Sequence, residues 1–336
     1  MFATPFAWMP QGALSRMYQS RFIRKHVGRP YLIANIWIWN HLPLALSRWR
    51  LIHIYGIHLQ RLVQLRATRR QSVGTFFFRN RPELELLIRL LSQKEQGAAI
   101  DLTVVGCSKG AEVYSFSYAI RCARGDVKVN LHALDISKEI LEFAKAGIYS
   151  LGENDGSGPP TPGSLVCAAD LVSTTLRGQT SSIFERMSSG EMDELFDRNG
   201  EWVSVKPRFQ EGIAWRLGDA KDPGLVSALG LQDIVVANRF LCHMYPTEAE
   251  QCLRNLARLV KPGGYLFVSG VDLDVRSKVA RELGWVPITE LITEIHEGDA
   301  SLRRDWPLQY WGLEPLNPNR SDWKMRYASV FQLLCQ

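Results

Sequence analysis

The sequence predicts an α/β protein: a doubly wound, mostly parallel sheet with helices on both faces, preceded by a helical N-terminal region and interrupted by a small insertion. Three observations predict it. From about residue 83, apolar strand-like runs alternate with helical runs. AIDLTVVG (99–106) is an apolar run fit for a central parallel strand. The stretch VVGCSKGAEVYS (104–115) reads as a buried strand, a small-residue turn and a helix. A hydrophobic content of 46% with 22% charged residues excludes a disordered chain.

Residues 1–71 form a basic, aromatic helical region. Thirteen Arg and Lys residues precede the first acidic residue, Glu83, so all 34 acidic residues lie in the body. Such a front end meets an anionic partner or forms a solvated helical face. The run from Tyr31 to Leu65 is broken by Asn35, Asn40, His41 and Pro43. It offers no stretch of ~20 strongly apolar residues, so a bilayer-crossing helix is not expected. Trp37, Trp39 and Trp49 beside Arg48 and Arg50 suit a peripheral contact with an anionic membrane. The plainer alternative is a helical cap packed on the body.

The body, residues 72–336, follows in order. AEVYSFSYAIRCA is a helix, VNLHALD (129–135) a second strand, and SKEILEFAKAGIY a helix that starts at Ser137. SLGENDGSGPPTPGS (150–164) is a loop by its Gly, Pro and Ser content, and it opens an insertion over about 151–211. GIAWRLGD (212–219) and QDIVVAN (232–238) resume the sheet. PTEAEQCLRNLARLV is a helix, KPGG a turn, YLFVSG a strand and MRYASVFQLL the last strand, with an extended segment over about 275–325. Six scattered cysteines without a CxxC pair, and no secretory signal, favour a reducing, cytoplasmic setting. His243, His296 and the cysteines lack ligand spacing, so no metal is expected.

Ligands of open parallel sheets bind beyond the carboxyl ends of the strands. Gly106, Ser108 and Gly110 make the first turn, and Glu112 opens the helix after it. A phosphate would prefer that helix end without a carboxylate, so Glu112 points to a ligand with an amine. Asp135, followed by Ile136, ends the second strand, where a carboxylate can accept from ribose hydroxyls. Asp219 and Ala220 follow the third strand, where an acid can accept from an adenine amino group. Amine, ribose and adenine together describe S-adenosylmethionine (SAM). An acid at a strand end is also a common helix cap. Upstream, GTFFFRN (74–80) places Thr75 and Arg79 four apart, on one face if helical. They could offer a hydroxyl and a guanidinium fork to a carboxylate.

TFFFR (75–79), GCSKGAEVYS (106–115), LDISKEILEFAKAGIYS (134–150), DIVVANRFLCHM (233–244) and LVKPGGYLFVSG (259–270) resemble the CheR-type chemotaxis receptor methyltransferases. The resemblance covers about residues 72–270. It implies a Rossmann-like class I methyltransferase sheet with an antiparallel last strand. It also implies that Thr75 and Arg79 help hold the methionyl end of SAM, Glu112 its amino group and Asp135 the ribose. The region of Asp219 and Asn238 would line the adenosine and the methyl-transfer site. The chain departs from the family where Val73 replaces Asn and where Lys109, Ala111 and Val113 replace Thr, Glu and Pro. The family's Arg-Asn pair is inverted to Asn238-Arg239, and its Tyr becomes His243.

The reaction implied is methyl transfer to a carboxylate, an acceptor already ionised near neutral pH, so orientation and water exclusion carry the catalysis. Arg239 and His243 are the candidate residues that position the acceptor. The altered acceptor segment and the aromatic front and tail (Trp285, Trp306, Tyr310, Trp311, Trp323) suggest a small-molecule carboxylic acid with an acyl chain. The design resembles the bacterial synthases that make 3-hydroxy fatty acid methyl esters as quorum-sensing signals. The alternatives are a protein-glutamate methyltransferase of chemotaxis type and a non-catalytic SAM-binding regulator. Nucleic acid is the disfavoured partner, because no DNA- or RNA-reading motif accompanies the basic arm.

Overall fold

A computed structural model of the chain describes residues 29–43, 46, 49, 51–52, 54–56, 58–59, 74–152, 182–298 and 316–334. Helix α1 (Arg29–Asn40) leads into the body. The body begins with α2 (Arg81–Ser92), β1 (Ala99–Val105), α3 (Ala111–Ala123), β2 (Lys128–Asp135) and α4 (Lys138–Ala146). A short excursion follows: β3 (Ile148–Ser150), α5 (Ser189–Leu195), β4 (Phe196–Asn199) and β5 (Trp202–Val205). The chain then completes its main sheet with β6 (Ile213–Leu217), β7 (Gln232–Asn238), α6 (Pro246–Ala257), β8 (Val260–Ser269), α7 (Leu273–Glu282), β9 (Val286–Pro287), α8 (Ile292–Glu297) and β10 (Val330–Leu333).

The main sheet has the order β6-β2-β1-β7-β8-β10-β9. β1 pairs in parallel with β2 and β7, β2 with β6, and β7 with β8. β10 runs antiparallel to both β8 and β9, so the antiparallel last strand implied by the resemblance is present. Both faces are covered, and the period of two shows it. Ile234 and Val236 belong to one core with Leu87, Leu102, Phe116 and Phe267. Val235 and Ala237 belong to the other, with Leu253, Leu256, Leu266 and Val268. The helices supply matching stripes: α2 buries Leu84, Leu87 and Leu91 on one face. Because β1 has β2 on one side and β7 on the other, the crevice between the ends of β1 and β7 is the switch point where such sheets bind ligands.

Four local readings are revised or resolved, the first of them a conditional one. GTFFFRN is not a helix: residues 77 and 78 form a turn, and Phe78 has φ 51°. Successive helical rings would point ~100° apart around one axis, whereas these two must be buried in different places. Phe77 packs against Tyr149, Phe184 and Phe196, and Phe78 meets Tyr118 edge-on. The second correction concerns the helix from Ser137, which stops at Ala146 on Gly147 (φ 62°). Tyr149 instead pairs with Val203 in a three-stranded antiparallel sheet of order β3-β5-β4. Third, KPGG lies inside β8, where its Gly264 pairs with Leu333. Finally, only Val330–Leu333 of MRYASVFQLL is strand, since Trp323–Tyr327 is helical.

Of the expected insertion, residues 153–181 lie outside the described residues, as do Val73, Trp306, Tyr310, Trp311 and much of the N-terminal region. Trp285 is buried, while Trp37 and Trp49 are exposed. Among the described residues no helix is long and apolar enough to cross a membrane.

Candidate active site

A pocket with about 1100 Å³ of empty space, its open mouth included, sits beyond the carboxyl ends of β1, β2, β6 and β7. The turn after β1 contributes Gly106 and Ser108, and α3 contributes Glu112. Asp135 and Ile136 come from the end of β2, and Asp219 and Ala220 follow β6. Thr75 and Arg79 close one side, and Asn238, Arg239 and His243 come from the end of β7 and the turn after it. The turn at 75–79 thus brings Thr75 and Arg79 to one pocket without being a helix.

Gly110 is the correction within this set. It does not line the pocket but precedes α3 with φ 85°. A Cβ there would stand 3.0 Å from Ala144 Cβ and 3.2 Å from both Trp215 and Tyr114. Close packing of α3, not ligand approach, requires glycine at that position.

The carboxylates are held in fixed orientations. Asp135 Oδ2 accepts from the Ser108 N–H at 2.9 Å, and Oδ1 from the Ser137 N–H at 3.0 Å. An ionised carboxylate has about four lone-pair sites, so each oxygen can take one more donor, as a vicinal diol would supply. Ser108 reaches this bond in a left-handed conformation (φ 51°). Arg239 (φ 62°) is a second such residue at the pocket, and clustered backbone strain of this kind marks functional sites. Asp219 Oδ1 accepts from the Lys221 N–H at 2.9 Å, which fixes the turn after β6.

Asn238 is the central connector. Its Nδ2 donates to Glu112 Oε1 at 2.9 Å and to Glu83 Oε1 at 2.6 Å. Its Oδ1 accepts from the Ser269 N–H at 3.1 Å and the Ser269 hydroxyl at 2.8 Å. Both amide hydrogens and the amide oxygen are therefore committed. Glu112, in the first turn of α3, sits where a helix N-terminus favours negative charge. An oriented carboxylate there fits an ammonium group.

The two thiols nearby differ. Burial pushes the Cys107 thiol well above its ordinary range, and the charges of Asp135 and Glu112 add to this, so it stays neutral. Burial also raises the Cys242 thiol, but His243 and Arg239 outweigh it and the net shift is downward.

Several pocket residues escaped the reading of motifs: Ser137, Ile140, Phe240 and Met244 line it. Glu83 escaped as well. It lies at the third position of α2 after the cap Asn80, and an Asn-x-x-Glu spacing reads simply as a capping signature.

The donor set present, a diol acceptor, an ammonium acceptor and an acid at the third strand, fits SAM. Residues 74–155 match the family described as CheR methyltransferase, SAM binding domain. Residues 187–268 match a family described as Methyltransferase domain. The "Probable biofilm formation methyltransferase WspC" of Pseudomonas aeruginosa is 24% identical over 235 residues, 68% of this chain and 48% of that protein. "Chemotaxis protein methyltransferase 1" of the same organism is 25% identical over 210 residues, 59% of this chain and 65% of the relative. This chain thus spans about half the length of the WspC protein. Among solved structures, the N-methyltransferase NodS from Bradyrhizobium japonicum aligns at TM-score 0.32 and 15% identity, over 62% of this chain and 76% of that one, too loosely to inform the site. Residues 74–155 are thus similar to the SAM-binding domain of CheR methyltransferases, and the pocket they help to form fits S-adenosylmethionine.

Proposed function

We propose that the protein is a methyltransferase that uses SAM to methylate a carboxylate oxygen. The observation that carries this reading is that Glu112, Asp135 and Asp219 share one pocket with Arg239 and His243, the residues suited to an acceptor. When bound, the donor supplies an electrophilic methyl group on a sulfonium. Asp135 would hold the ribose, and Glu112 the methionyl ammonium. Thr75 and Arg79 would meet the methionyl carboxylate. Arg239 would orient the acceptor carboxylate and His243 would donate to it. No strong base is called for, because a carboxylate acceptor is already ionised near neutral pH. Positioning and exclusion of water therefore supply most of the rate.

The relatives are named as methyltransferases of chemotaxis and biofilm formation. Those names favour the protein-glutamate acceptor of chemotaxis type over the 3-hydroxy fatty acid suggested by the aromatic ends of the chain. A small apolar carboxylic acid is the second reading. It is supported by the apolar flank of the pocket, Ile136, Ile140, Phe240 and Met244. The exposed Ile33, Trp37 and Ile38 of α1 support it too, as a surface for peripheral membrane contact where such acids partition.

Labelled SAM, offered with membrane-protein extract and with 3-hydroxy fatty acids in parallel, tests both. Alkali-labile label on protein supports the first acceptor. Label in an organic-extractable ester supports the second. Binding of SAM with transfer to neither would return the protein to a regulatory, non-catalytic role.

A further inference from the structure

Adjoining the donor pocket, and sharing Arg79, Glu112, Asn238 and Arg239 with it, lies a small polar chamber. Glu83, Glu112, Asn238 and His296 line it, together with Arg79 and Arg239. Glu83 is only 3% exposed. A glutamate at the third position of a helix ordinarily reaches back to the cap residue's own N–H. Here Glu83 Oε1 accepts from Asn238 Nδ2 at 2.6 Å, across 155 residues of chain. Its backbone is held for this: the Glu83 N–H donates to Asn80 Oδ1 at 3.3 Å, and Asn80 Nδ2 donates to the Ile295 carbonyl at 2.9 Å.

We propose that Glu83, on the basis of the SAM-dependent reading above, is a positioning residue for the ammonium end of the donor. It acts in two ways. It locks the Asn238 amide, whose other N–H locks Glu112. It also places a second buried carboxylate behind Glu112, against the cations of Arg79 and Arg239 that face the same chamber. Two carboxylates on one amide make a site of negative potential whose complement is a cation. Without Glu83, Asn238 would keep its bonds from Ser269 but lose one that orients the N–H groups aimed at Glu112, and the guanidinium groups would oppose an incoming ammonium. In an interior that screens weakly, a full charge at this range is worth about tenfold in affinity or more.

The test compares S-adenosylhomocysteine with its analogue lacking the α-amino group, each titrated calorimetrically into the full-length protein. The wild type prefers the amino-bearing ligand. Glu83→Gln, which keeps the shape and removes the charge, reduces that preference by about tenfold while leaving the affinity for the deaminated analogue nearly unchanged. Equal weakening of both ligands would make Glu83 a merely structural residue and overturn the proposal, as would an unchanged preference. Should E83Q be recovered unfolded, Glu83→Asp carries the same comparison. It withdraws the carboxylate by one methylene, so the preference falls, and an undiminished preference overturns the proposal. A wild type that binds neither ligand refutes the SAM-dependent reading itself. A wild type that binds and transfers methyl, with E83Q indifferent to the amine, refutes only the role of Glu83.

Discussion

Gly270 lies against the backbone of Arg239: a Cβ built on it would stand 2.7 Å from Arg239 Cα and 3.1 Å from Arg239 Cγ. Both residues are left-handed, Gly270 at φ 63° and Arg239 at φ 62°. The Arg239 N–H donates to the Ser269 carbonyl at 2.9 Å, so the strained residue is pinned from the strand beside it. Gly270→Ala would push the Arg239 backbone toward the pocket. We expect it to cost roughly 1–3 kcal/mol of stability and at least about tenfold in methyl transfer, since small misplacements are expensive in catalysis that relies on orientation. Thermal melting and a turnover assay check the two effects separately.

Asp135 gives the second prediction. Both of its oxygens accept backbone N–H bonds, which an Asn could satisfy with only one of its two terminal atoms. Asp135→Asn therefore turns one N–H against another and removes the charge meant for the ribose. Charged hydrogen bonds are worth about 1.5–3 kcal/mol, so affinity for S-adenosylhomocysteine should fall by about ten- to a hundredfold, read by calorimetric titration. Unchanged affinity would place the ribose elsewhere.

The succession of the main strands along the chain and the positions of the pocket carboxylates were legible in the sequence because each is local. An apolar run of strand length, a turn of small residues and an acid at the strand end all lie within a few residues of one another. What was not legible depended on contacts between distant segments. The turn at Phe77 rests on its packing against Tyr149, Phe184 and Phe196, all distant in sequence. The KPGG run stays within a strand, as a bulge between Val260 and Tyr265, where its last residue Gly264 pairs with the distant Leu333. Glu83 stood out in the sequence only as the first acidic residue, because its partner Asn238 lies 155 residues away. Gly110 looked like a ligand-facing glycine because a turn sequence does not show which side Ala144 occupies.

A third prediction concerns acid. Arg81 reaches Glu191 with both terminal nitrogens at 2.7 Å and so ties α2 to α5. The hydrogen bond from Arg81 is the main cause that holds the Glu191 carboxyl down at about 2; burial opposes it, and the Ser188 cap assists it. A depressed carboxylate stabilises the fold fully above its unfolded value, 4.5, and this contribution is lost as pH falls toward about 2. The stability gap between wild type and Glu191→Gln should be full at neutral pH and narrow steadily below about pH 4.5. Urea denaturation at a series of pH values measures it. A gap that stays constant down to pH 3 would mean that the ion pair adds nothing.

The last prediction separates donor from acceptor. Arg239 and His243 line the pocket beyond Asn238, on the turn that follows β7, and the bonds that orient Glu112 and Asp135 come from other residues. His243→Phe should therefore leave affinity for S-adenosylhomocysteine within about twofold, well under the tenfold that 1.4 kcal/mol represents, and Arg239→Gln, which removes a cation facing the ammonium end, should not weaken it. Their effect should fall on the acceptor. Arg239→Gln removes a guanidinium that binds the carboxylate before and during transfer, so it should raise the acceptor KM more than it lowers kcat. His243→Phe removes a directional donor but keeps the ring volume. It should lower kcat and kcat/KM together, the mark of an interaction made in the transition state. Steady-state kinetics with whichever acceptor proves active reads both. If either change instead abolished donor binding while kcat at saturating SAM held, that residue would belong to the donor half of the site, and the acceptor would have to be oriented from the apolar flank formed by Phe240 and Met244.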